Sequence, residues 1–124
     1  MSRILIVDDA ATVRMYYRCI LEEAGYLVCE AVNGVEAVEK SLQGCFDLYI
    51  VDVNMPKQDG YGFLRDLRGR DELVQAPALM VSTESAAHDR KRAYAAGANL
   101  YLVKPVKPEE LLIHCRLLLG EVCP

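Results

Sequence analysis

Asp52 follows four largely apolar residues, Leu48-Tyr49-Ile50-Val51, and precedes Val53-Asn54-Met55-Pro56. An apolar run that short reads as a strand buried on both faces, and Pro56 forbids its continuation. The carboxylate therefore stands at the carboxyl end of a strand, the edge where open α/β sheets place their ligands. Other polar groups follow similar runs: Asp8 and Asp9 after Ile4-Leu5-Ile6-Val7, Ser82 and Thr83 after Ala78-Leu79-Met80-Val81, and Lys104 after Leu100-Tyr101-Leu102-Val103. If the runs lie side by side, three acids, a hydroxyl and an ammonium converge. Two like charges ~4 Å apart repel by roughly 4 kcal/mol at an effective dielectric of about 20, so the acids require a bound cation. Carboxylate oxygens are hard ligands that suit Mg²⁺, with Mn²⁺ as a substitute, and no His or Cys competes for the site as zinc would want. Lys104 adds a second positive charge, free to pair with a carboxylate at rest and with a phosphoryl oxygen when one arrives. A metal and a lysine flanking one exposed aspartate are the parts that phosphoryl transfer onto that aspartate needs.

The elements that must position these groups alternate two hydrophobic periods. After the first strand, Val13, Tyr16, Tyr17, Ile20, Leu21 and Ala24 recur at helical spacing, with Gly25 where a left-handed cap is wanted. Leu27 to Ala31 makes a second strand, Asn33-Gly34 a turn, and Val35, Val38 and Leu42 the inner face of a helix ending at Gly44. Phe63, Leu64 and Leu67 mark the third helix, Ala87 to Ala96 the fourth with Gly97 behind it, and Pro108 opens a fifth carrying Leu111, Leu112, Cys115, Leu118 and Leu119. Five βα repeats of roughly 25 residues predict an α/β fold, a doubly wound five-stranded parallel sheet with five helices, because parallel neighbours need right-handed crossovers.

At 124 residues the chain is expected to be one domain over 1–124. With 14 basic and 18 acidic side chains it offers no basic field for phosphate backbones, so direct nucleic-acid binding is not expected. The N-terminus has no signal-peptide architecture and no apolar run approaches ~20 residues, so the expected protein is soluble, cytoplasmic, monomeric and without membrane contact. Cys19, Cys29, Cys45, Cys115 and Cys123 are odd in number, form no closely spaced pair, and read as small apolar fillers in a reducing compartment.

Asp8-Asp9, Asp52 before Met55-Pro56 and Asp59-Gly60, Ser82, and Lys104-Pro105 together resemble the receiver domain of two-component response regulators, a flavodoxin-like fold. The resemblance spans essentially the whole chain. Within the family the chain is most similar to single-domain chemotaxis regulators of the CheY type, through Val53 to Pro56, Leu79 to Glu84 and Tyr101 to Pro105. The resemblance implies that Asp52 is a phosphoacceptor attacking a phosphohistidine of a partner kinase. It implies a metal held by Asp9, Asp52 and the Asn54 carbonyl, and by Asp8 largely through water. Lys104 and the Ser82 hydroxyl would grip the phosphoryl oxygens, and Tyr101 would turn inward as Ser82 moves, altering the face formed by the fourth helix, fifth strand and fifth helix. The family associates the positions of Asn54 and Glu84 with phosphoryl lifetime, and it implies a cis bond before Pro105. The output would pass by protein contact to a flagellar motor switch component or to a phosphotransfer protein, and Glu121 to Pro124 is also compatible with the start of a linker in a longer regulator.

Plainer roles compete at several positions. Asp8-Asp9 suit the first turn of a helix, Ser82 and Thr83 suit a helix start, and Tyr101 suits a packed strand. Arg90-Lys91-Arg92 reads as a solvated helix face, with a partner-binding surface as the alternative, and His114 as a surface residue. A nucleotide enzyme on the same fold would want a Gly-rich or Ser/Thr-rich loop after the first strand, where acidic Asp8-Asp9-Ala10-Ala11 stands instead. A phosphatase with an aspartate nucleophile would want a second acid two positions on as general acid/base, and Asn54 is there. Four positions depart from the family's commoner residues: Ser82 for threonine, Thr83 for a smaller residue, which is expected to narrow access to Asp52, Ala11 for serine, and His114 for a basic residue used in partner binding.

Overall fold

The computed structural model describes residues 2–84 and 86–121. Its strands are β1 (Arg3–Val7), β2 (Leu27–Ala31), β3 (Leu48–Asp52), β4 (Ala78–Ser82) and β5 (Leu100–Val103). The helices that alternate with them are α1 (Ala11–Glu23), α2 (Gly34–Gln43), α3 (Gly60–Gly69), α4 (Ala87–Ala96) and α5 (Pro108–Leu118). All strand pairs are parallel and the sheet order is β2-β1-β3-β4-β5. The chain leaves β1 for one edge and returns through β3 toward the other, so a topological switch point lies between those two strands. That places the residues after β1 and at the end of β3 on the two sides of one crevice.

Strand residues alternate between the two faces of the sheet, as a period of two dictates. Leu5, Val7, Tyr49, Val51 and Met80 pack with Ala37 and Val38 of α2, with Phe63, Leu64 and Leu67 of α3, and with Ala93 and Ala96 of α4. Ile4, Ile6, Ile50, Leu79 and Val81 pack with Tyr17 and Leu21 of α1 and with Leu111 and Cys115 of α5. Both faces are covered, which is why the strands are near-continuous apolar runs. Among the described residues no helix is long and apolar enough to cross a membrane.

Two sequence-based expectations are corrected. Asn33-Gly34 is the start of α2 rather than a free turn: the Asn33 side chain accepts the Glu36 N–H at 2.8 Å and caps the helix. With that start the buried face of α2 is Gly34, Ala37, Val38 and Ser41, while Val35 and Leu42 are half exposed. Small residues take the inner face because α2 sits close on α3, and an added Cβ on Gly34 would come within 3.1 Å of Phe63 Cβ. The cysteines are not uniformly fillers either. Cys115 is buried, and burial pushes its thiol up to about 12, but Cys19 and Cys45 are exposed and Cys29 is intermediate. Cys123, with the rest of the 122–124 segment, lies outside the described residues.

Candidate functional site

Four of the five strand-end side chains, those of Asp8, Asp9, Asp52 and Lys104, meet at the carboxyl edge. One carboxylate oxygen from each of Asp8, Asp9 and Asp52 lies within 4.8 Å of the others. Asp8 is fixed on several sides: its N–H donates to the Ala31 carbonyl at 3.1 Å and its Oδ1 accepts the Ala10 N–H at 2.9 Å, a local turn that short acids favour. Lys104 reaches across from the end of β5 and donates through Nζ to Asp52 Oδ1 at 2.9 Å and to Asp8 Oδ2 at 3.4 Å. Its N–H is tied to the Ser82 carbonyl at 2.8 Å, so the β4 and β5 ends are held in register beneath the ammonium. The Lys104-Pro105 bond is cis, as the resemblance implies.

Asp9 is exposed, but Asp52 is only 7 % exposed and Asp8 1 %, so the expectation of an exposed acceptor is corrected. Acids no more than 4.8 Å apart repel by at least ~3.5 kcal/mol per pair at an effective dielectric of about 20. On the same scale Lys104 attracts Asp52 and Asp8 by roughly 5–6 kcal/mol each. Attraction and repulsion nearly cancel, and the cost of burying the carboxylates is left unmet. The titration of Asp52 follows: burial raises it, the Lys104 hydrogen bond offsets part of that, and the fields of Asp8 and Asp9 raise it further. Burial would lower Lys104, yet its bond to Asp52 and the fields of Asp52 and Asp8 outweigh that and hold it above the ordinary lysine range. Such a cluster calls for a cation of high charge density. The donor set is all carboxylate oxygen, with no His or Cys in the cluster among the described residues, and it fits Mg²⁺.

Ser82 ends β4 with no exposed surface, and its Oγ accepts the Glu84 N–H at 3.1 Å. It is four residues short of the α4 N-cap, Ala86, so the helix-capping reading of Ser82 fails. Tyr101 is buried, and its hydroxyl donates to the Glu84 carbonyl at 2.6 Å. The hydroxyl of the site and the aromatic of β5 are therefore linked through one residue's main chain, while the Glu84 side chain is exposed. The Arg90 guanidinium lies 5.2 Å from the Tyr101 ring centre and Arg92 lies 4.3 Å from that of Tyr61. Both arginines are exposed, in keeping with a solvated face of α4, and each also covers an aromatic ring. His114 is half-buried, with Nδ1 at 2.7 Å from the Glu110 carbonyl.

The loop after Asp52 is shaped by close backbone approach. The Gly60 N–H donates to the Val53 carbonyl at 2.9 Å, and a Cβ on Gly60 would fall 2.3 Å from the Asp52 carbonyl oxygen. Only glycine fits there, which explains the residue at the start of α3. Asn54 is exposed two residues beyond Asp52, and Lys57 takes a left-handed conformation at φ 68°. Beside the acids, Val13, Tyr16, Tyr17, Thr83, Lys104, Pro105 and Val106 line a cavity of about 540 Å³. Thr83 forms part of its wall. Tyr17 was legible only as a helix-core residue. It is buried, and burial followed by the fields of Asp8 and Asp52 pushes its phenol well above the ordinary range. Its spacing of one helical turn from Val13, a few residues past Asp9, is the signal that places it by the site.

Known proteins match this arrangement. The transcriptional regulatory protein ResD of Bacillus subtilis is 36 % identical over 95 % of this chain and 48 % of its own length, so the chain spans about half of that relative. The chemotaxis protein CheY4 of Vibrio cholerae superposes with a TM-score of 0.90 at 36 % identity, covering 95 % of this chain and 98 % of that one. The receiver domain of the sensor histidine kinase PA1611 of Pseudomonas aeruginosa has a TM-score of 0.88 at 28 % identity, covering 97 % of this chain and 98 % of that one, and is described with a magnesium ion coordinated in its active-site cleft. Residues 4–116 match the response regulator receiver domain, and the chain belongs to that family.

Proposed function

We propose that Asp52 is the phosphoacceptor of this receiver domain, taking a phosphoryl group from a histidine kinase in a Mg²⁺-dependent reaction. The carrying observation is the cation-deficient cluster of buried Asp8 and Asp52 with exposed Asp9, and Lys104 bonded to the acceptor. Asp8, Asp9, Asp52 and the Asn54 carbonyl are the metal-holding groups, and bound Mg²⁺ supplies positive charge to the phosphoryl oxygens. An Asp52 carboxylate oxygen forms the new O–P bond as the P–N bond to the kinase histidine breaks, and the imidazole leaves with the electron pair. Lys104 moves its hydrogen bond from Asp52 to a phosphoryl oxygen, and Ser82 donates a second. The step frees the Glu84 N–H from Ser82 and loosens the segment whose carbonyl holds Tyr101. Asn54 offers no general base to water, so the phosphoryl group persists and the site works as a timer.

The altered face, built of α4, β5 and α5, is read by another protein. A chemotaxis output through a flagellar motor switch component is supported by the likeness to CheY4 over nearly all of that chain. Attachment to a longer regulator is the second reading, supported by ResD, of which this chain covers half. Acetyl phosphate with Mg²⁺ is expected to add one acid-labile phosphoryl group, and Asp52→Asn to abolish it, as intact-mass spectrometry reads. Undiminished labelling in that variant would overturn the assignment. Co-purification of the phosphorylated chain with motor-switch protein separates the two outputs.

A further inference from the structure

We infer that Arg14 is a positioning residue for the metal ligands, acting through the peptide that joins Asp8 to Asp9. This rests on the metal-binding reading of the site. The Asp8 N–H and side chain are fixed to Ala31 and Ala10, and the remaining polar group of its backbone, the carbonyl, accepts Arg14 Nη1 at 2.8 Å. That carbonyl belongs to the peptide unit leading into Asp9, so its orientation sets the direction in which the exposed Asp9 carboxylate projects. Arg14 is itself held. Its Nε donates to Glu30 Oε1 at 2.8 Å, and Arg18 Nη1 donates to the other oxygen, Oε2, at 2.6 Å. The result is a relay from β2 through α1 to the loop after β1: Glu30 orients a planar guanidinium, and the guanidinium orients the Asp8–Asp9 peptide. A lysine places one point charge and makes no such fork.

Charge and position predict opposite effects, which makes the inference testable. A guanidinium near the acids repels an incoming divalent cation, so on charge alone removing Arg14 tightens Mg²⁺ binding. On positioning, removing it weakens binding, and supporting groups behind metal ligands contribute about tenfold or more to affinity. Mg²⁺ titration calorimetry on the full chain is expected to show about tenfold weaker binding for Arg14→Gln and also for Arg14→Lys, which keeps the charge. Glu30→Gln is expected to weaken it less, and the double variant Arg14→Gln/Glu30→Gln no more than Arg14→Gln alone. At saturating Mg²⁺, acetyl phosphate labelling returns to the parental rate. Equal or tighter Mg²⁺ binding in both Arg14 variants would overturn the inference while leaving the metal reading intact. A parental chain that binds no Mg²⁺ would overturn both. Should Arg14→Gln fail to give a folded amide spectrum, Arg14→Lys decides.

Discussion

Two charge clusters share the β1–α1 corner, one unbalanced and one balanced. At the carboxyl edge three acids face one lysine; beside them, Glu30 holds two arginines, Arg14 and Arg18, and Arg18 also pairs with Glu22 at 3.2 Å, so two acids meet two bases. In the first, burial and mutual repulsion raise the Asp52 carboxyl, so its charged form is held against its preference. In the second, burial also pushes Glu30 upward, but the bonds from Arg18 and Arg14 outweigh it and lower it. The second cluster is complete within the chain, whereas the first is completed only by something that binds. Sign and number of charges, more than burial as such, separate a site from a brace.

The largest way to sharpen this contrast is to supply the missing cation. Binding to the folded state alone stabilises by about 2.7 kcal/mol at a hundredfold excess over the Kd, so MgCl₂ against a chelator baseline is expected to raise Tm clearly. In Asp52→Asn most of that gain disappears. An equal Mg²⁺ shift in the variant would show that the acids do not form the metal site. The next effect is smaller and has the sign that a merely structural aspartate would not show. Without metal, Asp52→Asn is expected to stabilise the fold by about 1 kcal/mol, roughly 3–5 °C in Tm, because it removes a buried like charge while Lys104 keeps Asp8. Urea unfolding in chelator measures it.

The sequence shows the first cluster and hides the second for a physical reason. Asp8, Asp9, Asp52, Ser82 and Lys104 each terminate an apolar run, and a parallel sheet brings such ends to one edge, so periodicity alone places them together. Glu30 and Arg14 lie 16 residues apart on different elements, and nothing in either's local pattern announces the pairing. On α2, Val35 and Leu42 look like core by hydrophobicity, but the buried face holds Val38 among the smaller Gly34, Ala37 and Ser41, with α3 approaching closest at Gly34. That the exposed Arg90 and Arg92 also cover aromatic rings is hidden, because composition does not reveal which ring a long side chain will meet. Asp52 stands out in the sequence as an acid at a strand end, but not as a nearly buried one, since the depth of a strand end depends on the loops that close over it.

Acid titration separates the clusters with the smallest effect and with opposite signs. The folded state binds the Glu30 proton less tightly than the unfolded chain does. Its contribution is therefore present above the ordinary carboxyl value of about 4.3 and is lost as pH falls through its lowered folded value. Asp52 is the reverse: its raised folded value means protonation favours the fold. Its contribution is present below the ordinary value of about 3.9 and is lost as pH rises through the folded value. On acidifying metal-free protein from neutrality, Asp52 becomes neutral first and adds stability, and Glu30 becomes neutral later and removes it. Subtracting variant from parent at each pH cancels the carboxyls that are not coupled to the one replaced. Urea midpoints are expected to show that Asp52→Asn loses an upturn lying above about pH 4, while Glu30→Gln loses a downturn below about pH 4. Because Glu30 is partly exposed, solvent screening keeps its downturn under about 1 kcal/mol. Two difference curves of the same sign would mean that the two clusters carry the same kind of charge balance, and the division between site and brace would fall.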